Sequence, residues 1–530
     1  MSVCAINSDL LKKMVINGAI NLKNQHKEVD ALNVFPVPDG DTGTNMQMTM
    51  MSGVTEISKA EVTSVVDLSK IFSRGLLMGA RGNSGVILSQ FFRGMYLKLK
   101  EIGKPEIDLN DFVQTLVSGY EVAYKAVMEP VEGTILTVVR ESAEMIEKQE
   151  TLESLEDLLE KYIGQAKKSL ANTPNLLPVL KEAGVVDSGG AGFVKVIEGM
   201  LMAVKGEMLE VSTETKSKDD SKFAYAIDVK LELKYPNRFK LDSIKPSLEA
   251  LGDKIELNQN DKYLDTKMNA EFPGKVLELL QKNGEFITIS IVNKNAPVVE
   301  EPQKTEAKQE HKTYGLISVC FGEGIKNTFT ELGCDYIIDG GQTMNPSTEA
   351  FLKAVDAVNA DNIIIIPNNS NVILAAEQAV KLCKNKHVAV LKAKTIAQGY
   401  ASLMVFDTTA KFEDNVEAMQ EAISNATSGE ITYAVRDTEI KGVKISNGDY
   451  MGIANGNIIV SVKEKMEAAK KLVDNTVNED SSVVTIFYGK DITEDEVSEL
   501  ADYVQSKNED LEVEVINGGQ DIYSYIISVE

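Results

Sequence analysis

The run Leu32-Asn-Val-Phe-Pro-Val-Pro-Asp-Gly-Asp-Thr-Gly-Thr-Asn-Met46 sets two carboxylates, Asp39 and Asp41, on either side of one glycine. A hard cation such as Mg²⁺ takes oxygen ligands, commonly one or two carboxylates together with substrate phosphates. The N–H groups and hydroxyls of Thr42, Gly43, Thr44 and Asn45 come next and can face those phosphates. Pro36 and Pro38 fix φ and push the residues before them extended, so the approach is a stiff loop. Gly40 and Gly43 permit turns that a side chain would block. Taken alone, an Asp-Gly-Asp-Thr-Gly run is also an ordinary turn capping a helix that begins near Thr44. The flanking pattern favours the metal.

Three further glycine-rich loops each open an apolar helix: Gly79-Ala-Arg-Gly-Asn-Ser-Gly85, Val131-Glu-Gly-Thr-Ile135 and Val186-Asp-Ser-Gly-Gly-Ala-Gly192. In the first, Ser84 and the free N–H groups of the helix start make an anion site. One such loop is routine punctuation between helices. Four within about 200 residues, one of them bearing paired carboxylates, predict helix dipoles converging on polyphosphate, with Asp39 and Asp41 supplying the metal. Arg81 and Arg140 are either added positive charge near the phosphates or ordinary surface arginines. Neither the dinucleotide-binding glycine fingerprint nor a Walker A sequence is present.

These loops need helices to hold them. Through residues 1–204, apolar residues recur at three- and four-residue steps, as in Leu152, Leu155, Leu158, Tyr162 and Ala166, with no competing strand alternation. An all-α bundle or helical barrel is expected. Residues 205–222 are polar and charged, and 296–312 are rich in Pro, Glu, Gln and Lys, so both read as solvated linkers. Between them, residues 223–295 alternate strand and helix patterns and predict a small α+β domain. Residues 313–530 begin with short β-branched runs separated by helical stretches, which predicts an α/β domain with a parallel sheet. Asp335-Tyr-Ile-Ile-Asp-Gly-Gly-Gln342 resembles Val513-Glu-Val-Ile-Asn-Gly-Gly-Gln520, which suggests two similar α/β lobes. Asn455-Gly456 reads as a tight hairpin turn.

Composition narrows the function classes. The 530 residues carry 55 Lys and Arg against 80 Asp and Glu, a net charge of −25, with no run of five basic residues. Binding to nucleic acid or anionic lipid through the general surface is disfavoured. Three histidines are too few for a His-rich metal site, and a Ser-His-Asp relay is not expected. Four scattered cysteines without a Cys-x-x-Cys pair suit reduced thiols. No signal peptide and no membrane-spanning apolar run are recognisable, so a cytoplasmic protein without an integral membrane segment is expected.

Residues 1–204 resemble the L-subunit domain of dihydroxyacetone kinases, and the whole chain resembles the catalytic subunit of bacterial fatty acid kinase. The Asp39–Asp41 run carries the likeness, with Gly-Asn-Ser-Gly85 and Glu132-Gly-Thr-Ile in the same order. The resemblance implies an eight-helix barrel that binds ATP with two Mg²⁺ ions. Asp39 and Asp41 match its metal-binding aspartates. The third ligand of the dihydroxyacetone kinases, an aspartate a few residues upstream, has Asn33 as its nearest equivalent. Thr42 to Asn45 match the loop over the phosphates, Asn83, Ser84 and Gly85 the phosphate-contacting helix start, Thr134 a nucleotide-side position, and Asp187, Ser188 and Gly189 a nucleotide-contacting loop.

Many relatives bind a structural zinc through a cysteine after a tyrosine on the first strand of the middle segment and a His-x-His before a Pro-Gly. Here Tyr225 is followed by Ala226, and Lys267 and Asn269 precede Pro273-Gly274, so no zinc is expected. The third segment resembles a carrier-docking domain related to the DegV-like lipid-binding fold. Its loops Pro367-Asn-Asn-Ser-Asn371 and Gly340-Gly-Gln-Thr-Met-Asn-Pro-Ser347 are then candidates for partner contact, the alternative for the first being a plain Asn/Ser cap of the helix that begins at Val372. The implied activity is ATP-dependent phosphorylation of a fatty acid held by a separate DegV-like carrier protein, giving acyl phosphate for phospholipid synthesis, with a homodimer as the assembly. The alternatives are a kinase for a small hydroxy-ketone and an inactive ATP-sensing scaffold.

Overall fold

A computed structural model describes residues 3–33, 40–211, 223–260, 262–293, 311–341 and 344–530. The Pro-Val-Pro approach and Asp39 lie outside them. Residues 1–211 and 310–530 form one compact unit and 212–309 a second.

The first part of the larger unit is helical: β1 (Ala5–Ile6), α1 (Ser8–Asp30), α2 (Thr42–Ser58), α3 (Val65–Gly79), α4 (Gly82–Ile102), β2 (Ile107–Asp108), α5 (Leu109–Ala126), α6 (Ile135–Glu147), α7 (Leu155–Leu176), α8 (Pro178–Ala183) and α9 (Ser188–Val204). Side-chain caps start several of them: Asn7 for α1, Ser64 for α3, an Asp108–Asp111 capping box for α5 and Ser154 for α7. Each long helix packs on the next, and α9 returns to lie along α1. Their apolar faces share one core, in which Phe91 meets Phe193 edge-on at 5.1 Å. The α1–α9 crossing is tight: a Cβ on Gly199 would sit 2.5 Å from the Asn17 carbonyl oxygen.

Two details differ from the sequence reading. The helical part contains a strand pair, β1 with β2, because Ile6 and Ile107 pair backbones while burying their side chains. Residues 205–210, read as the start of a solvated linker, are tied to α1. Asn17 donates to the Glu207 oxygen at 3.1 Å and accepts from Leu209 N–H at 2.7 Å, and Asn24 donates to the Glu210 oxygen at 3.0 Å. Asparagines on a helix face satisfy the chain's backbone groups there. The linker expected at 296–312 falls almost wholly outside the described residues.

The second part of this unit begins with β7 (Lys312–Cys320), α12 (Glu323–Glu331), β8 (Tyr336–Asp339), α13 (Thr348–Ala357), β9 (Ala360–Ile366), α14 (Ile373–Leu382) and β10 (His387–Val390). Its strands form a parallel sheet in the order β10-β9-β7-β8. After α15 (Ile396–Met404) and α16 (Phe412–Asn425) come β11 (Thr427–Tyr433), β12 (Thr438–Ile440), β13 (Val443–Ile445), β14 (Tyr450–Ala454), β15 (Asn457–Val462), α17 (Lys465–Thr476), β16 (Val483–Tyr488), α18 (Glu494–Gln505), β17 (Glu512–Asn517) and β18 (Tyr525–Val529). Six of these strands make a mixed sheet, β15-β14-β11-β18-β16-β17. Asn455 and Gly456, both at positive φ, form the turn between β14 and β15. The sequence echo falls on β7-α12-β8 and β16-α18-β17, both parallel strand–helix–strand units.

The two parts share a hydrophobic cluster. Ala80 and Val86, which flank the start of α4, are buried with Ile317, Val319, Phe351, Ile363 and Ile365 of the parallel sheet and its helix. Helix α13 packs on α3 and α14 on α4.

The smaller unit is an antiparallel sheet, β4-β5-β3-β6, built from β3 (Tyr225–Leu233), β4 (Gly252–Asn260), β5 (Tyr263–Ala270) and β6 (Gly284–Asn293), with α10 (Leu241–Glu249) and α11 (Pro273–Gln281). Ile227, Val229, Leu231, Leu248 and Leu280 fill its core. Ala226 lies opposite Asn269 in the β3–β5 ladder, and Lys267 pairs with Asp228 at 3.2 Å. Among all described residues, no helix is long and apolar enough to cross a membrane.

Candidate functional site

Four helix starts converge. Helix α2 begins at Thr42, two residues before the expected start, and Asp41 is its N-cap residue. Helix α4 begins at Gly82 behind Arg81. Neither cap residue's side chain bonds to the first turn, unlike Thr134 at α6 and Asp187 at α9. In α2 the Thr44 N–H is taken instead by Asp30; the first-turn N–H groups that the cap residues do not engage suit an anionic ligand.

Contacts show how close the starts lie. A Cβ on Gly82 would meet Asn45 Nδ2 at 2.7 Å, and one on Gly189 would meet Ser84 Oγ at 3.2 Å and Ile135 Cβ at 3.3 Å. Gly82 has φ +60, a conformation that glycine takes without strain. Asp187 accepts from Gly190 N–H at 2.6 Å. Burial pushes its carboxyl up to about 6, against the pull of the Gly190 and Ile135 N–H groups.

The α2, α4 and α9 starts border a cavity of about 520 Å³. From the helical part it is lined by Asn33, Asp41, Thr42, Asn45, Asn83, Ser84 and Ser188. Those expected site residues are therefore brought together. The other described ones lie around this wall in supporting positions, Asp39 being outside the described residues. Thr44 donates to Asp30 through its N–H and its hydroxyl. Gly43 sits against α1, where a Cβ would meet the His26 oxygen at 2.2 Å, and Gly85 against Thr49. Thr134 caps α6 through Leu136 N–H. Arg140 is held by Glu132 at 3.0 Å and the Tyr124 hydroxyl at 3.0 Å, and Arg81 Nη1 donates to the Asn345 oxygen at 2.7 Å.

The opposite wall comes from the α/β part, which the sequence reading did not bring to the site. Ser370, Asn371, Lys394, Thr395, Gln398, Ser428, Glu430, Ile453, Asn455, Gly456 and Tyr523 line it. The two loops read as partner contacts turn toward the helical part, one through Asn345 and the other through Ser370 and Asn371. They leave the carboxyl ends of parallel strands, where ligands gather in open α/β sheets. Asn345 Nδ2 donates to Asp41 Oδ2 at 2.5 Å, and Asn83 Nδ2 to Asn371 Oδ1 at 3.4 Å. The one sequence signal for this wall is that both loops are rich in Asn, Ser and Gly at strand ends. Glu430 and Lys394 carry none.

The arrangement is polar, rich in helix starts, and carries a buried carboxylate at its edge. It suits a polyphosphate with a hard cation: Asp41 and the amides and hydroxyls beside it are the oxygen donors Mg²⁺ requires. Among the described residues no cluster of three or more His, Cys, Asp or Glu is present, and Asp39 lies outside them.

Comparison with known proteins gives consistent matches. The FakA-like family model, which describes the C-terminal region of fatty acid kinases, matches residues 315–530, and that of the DAK2 domain matches residues 36–202. Protein YloV of Bacillus subtilis (strain 168) is 40% identical over 558 residues, covering 100% of both chains. The uncharacterized protein SAB1090 of Staphylococcus aureus (strain bovine RF122 / ET3-1) is 39% identical over 550 residues, again covering 100% of both. The solved dihydroxyacetone kinase from C. freundii in complex with AMP-PNP and Mg²⁺ is 14% identical and covers 42% of this chain and 49% of its own, with a TM-score of 0.30, too low to bear on the fold.

Proposed function

The chain belongs to the FakA-like family of fatty acid kinases, and from that premise we propose that it transfers the γ-phosphoryl group of ATP to the carboxylate of a fatty acid presented by a separate DegV-like carrier protein. The observation that carries the reading is the meeting of the α2, α4 and α9 starts at a polar cavity with Asp41 at its edge, the α6 start packing against that of α9.

A fatty acid carboxylate is ionised near neutral pH and is already a nucleophile, so no strong base is required. Its oxygen bonds to the γ-phosphorus, the bond to the β–γ bridging oxygen breaks, and ADP leaves with that electron pair; the product is an acyl phosphate. The chain's task is positioning and charge neutralisation. In this reading first-turn N–H groups of α2 and α4 cradle the phosphates, with Thr42, Asn45, Asn83, Ser84 and Ser188 beside them. Asp39 and Asp41 would hold Mg²⁺, and Asn33 would serve as a ligand for a second ion. Mg²⁺ when bound supplies charge neutralisation and orients the phosphates. All four cysteines are free thiols, which suits the cytoplasm. The domain limits, the barrel description, the paired lobes and the homodimer belong to the same reading through the family resemblance.

The test is purified protein with ATP, Mg²⁺, oleate and a panel of fatty-acid-binding carrier proteins. Carrier-dependent acyl phosphate is expected, and Asp41→Ala should abolish it while the melting temperature holds. Phosphorylation of dihydroxyacetone in place of oleate, or no transfer to either, would overturn the proposal.

A further inference from the structure

Asn345 sits on the loop between β8 and α13, yet its side chain is engaged with the helical part. It is 1% exposed. Its Nδ2 donates to Asp41 Oδ2 at 2.5 Å, and its backbone oxygen accepts from Arg81. Its Oδ1 is buried and has no hydrogen-bond partner among the described residues. An amide oxygen in that condition is costly, and such groups in folded proteins call for an occupant.

A carboxylate oxygen beside an amide oxygen is a donor set for a hard cation. Turning the amide about its Cβ–Cγ bond exchanges its two atoms. Oδ1 would then face the side on which Asp41 lies, and Nδ2 would take over the buried place in which Oδ1 now has no partner among the described residues. The loop is anchored for such a role: Thr348 N–H donates to the Ala80 oxygen at 3.2 Å, and Ala80 is built into the sheet's hydrophobic cluster.

We propose that Asn345 completes the magnesium site from the α/β part of the chain: its amide donates to Asp41 when no cation is there and turns its oxygen onto the cation when Mg²⁺ and nucleotide bind. The inference rests on the Mg²⁺–nucleotide reading above. It makes the cation affinity of the helical part depend on a residue some 300 positions away in sequence.

The experiment titrates full-length protein with a fluorescent, non-hydrolysable ATP analogue over a range of Mg²⁺ concentrations. Wild type, Asn345→Ala and Asn345→Asp are compared, with thermal melting recorded for each at zero and saturating Mg²⁺. The half-saturating Mg²⁺ concentration should rise at least about tenfold in Asn345→Ala, the scale on which metal sites respond to loss of a supporting group. In Asn345→Asp it should stay at or below the wild-type value. Without Mg²⁺ the Asp variant sets one carboxylate against another, so it should melt below wild type and gain more than wild type when Mg²⁺ is added. The Asp variant decides the matter should the Ala variant not fold. An unchanged Mg²⁺ midpoint in Asn345→Ala, or an Asp variant that Mg²⁺ does not rescue, overturns the proposal. Wild-type protein that binds the analogue without regard to Mg²⁺, or not at all, overturns the underlying reading and this proposal with it.

Discussion

Both oxygens of the Asp30 carboxylate are taken by one residue, Thr44: Oδ1 accepts from its N–H at 3.0 Å and Oδ2 from its hydroxyl at 2.8 Å. Asp30 ends α1 and Thr44 lies in the first turn of α2, so the pair fixes how the chain enters the helix that borders the cavity. A carboxylate at a helix start also suits its dipole.

Asp30→Ala should therefore lower stability by about 1–2 kcal/mol and weaken nucleotide binding together with it, with Asp30→Asn intermediate. Chemical denaturation and nucleotide titration measure the two. Thr44→Val should reduce both in the same way. A Thr44→Val variant that lost affinity at an unchanged melting temperature would return Thr44 to the phosphates.

Gly82 separates backbone strain from site geometry when compared with Gly103. Both have positive φ, +60 and +70. A Cβ on Gly82 would press on Asn45 Nδ2, whereas one on Gly103 would find nothing nearer than 4.0 Å. Each Gly→Ala change should cost about 1–2 kcal/mol from the left-handed backbone. Only Gly82→Ala should also impair nucleotide binding, by at least about tenfold, a separation typical of a misplaced site group. Equal binding by the two variants would refute the assigned wall.

Glu430 gives a pH signature. It is 7% exposed, and burial alone pushes its carboxyl from 4.5 up to about 7. The folded protein then holds this proton more tightly than the unfolded chain. The associated stability is complete below about 4.5 and is lost as pH rises through 7. Glu430→Gln stays neutral throughout. Its unfolding free energy should pull ahead of wild type between pH 4.5 and 7 and level off above, by up to about 3 kcal/mol. Denaturation curves at pH 5 and pH 8 suffice, and a gap that does not widen between them contradicts the assignment.

Lys394 supplies the only Lys or Arg among the described residues lining the cavity. Phosphoryl transfer to an anionic acceptor needs positive charge. Lys394→Met should lower kcat/KM by about 10- to 100-fold, as loss of one charge-stabilising donor does, at an unchanged melting temperature. Lys394→Arg should recover part of the loss. A Met variant with wild-type kcat/KM would remove Lys394 from the reaction.

Why some of this is readable in the sequence and some is not follows from the range of the forces involved. The helix starts announce themselves locally, through glycines and cap residues such as Thr134 and Asp187. The parallel strands do the same through β-branched runs such as 362–366. Asn345, Lys394 and Glu430 share no local pattern with Asp41. They reach the site because α13 and α14, which flank the parallel sheet, pack on α3 and α4, a contact decided by shape between distant segments. The pairing of β1 with β2 escapes for the same reason, each strand being two residues long. The tie of residues 205–210 to α1 escapes because it runs through asparagine side chains, which carry no hydrophobic period.

Ala80 and Val86, buried among the residues of the parallel sheet, bear on how this chain can be divided. Cutting it after α9 would strip those two positions of their cover at the very turn that opens α4. A solitary helical fragment would carry an apolar scar beside its cleft and lack half of that cleft's rim. Its behaviour with nucleotide would then report on an unfinished object, and evolution would find gene fission at this boundary costly.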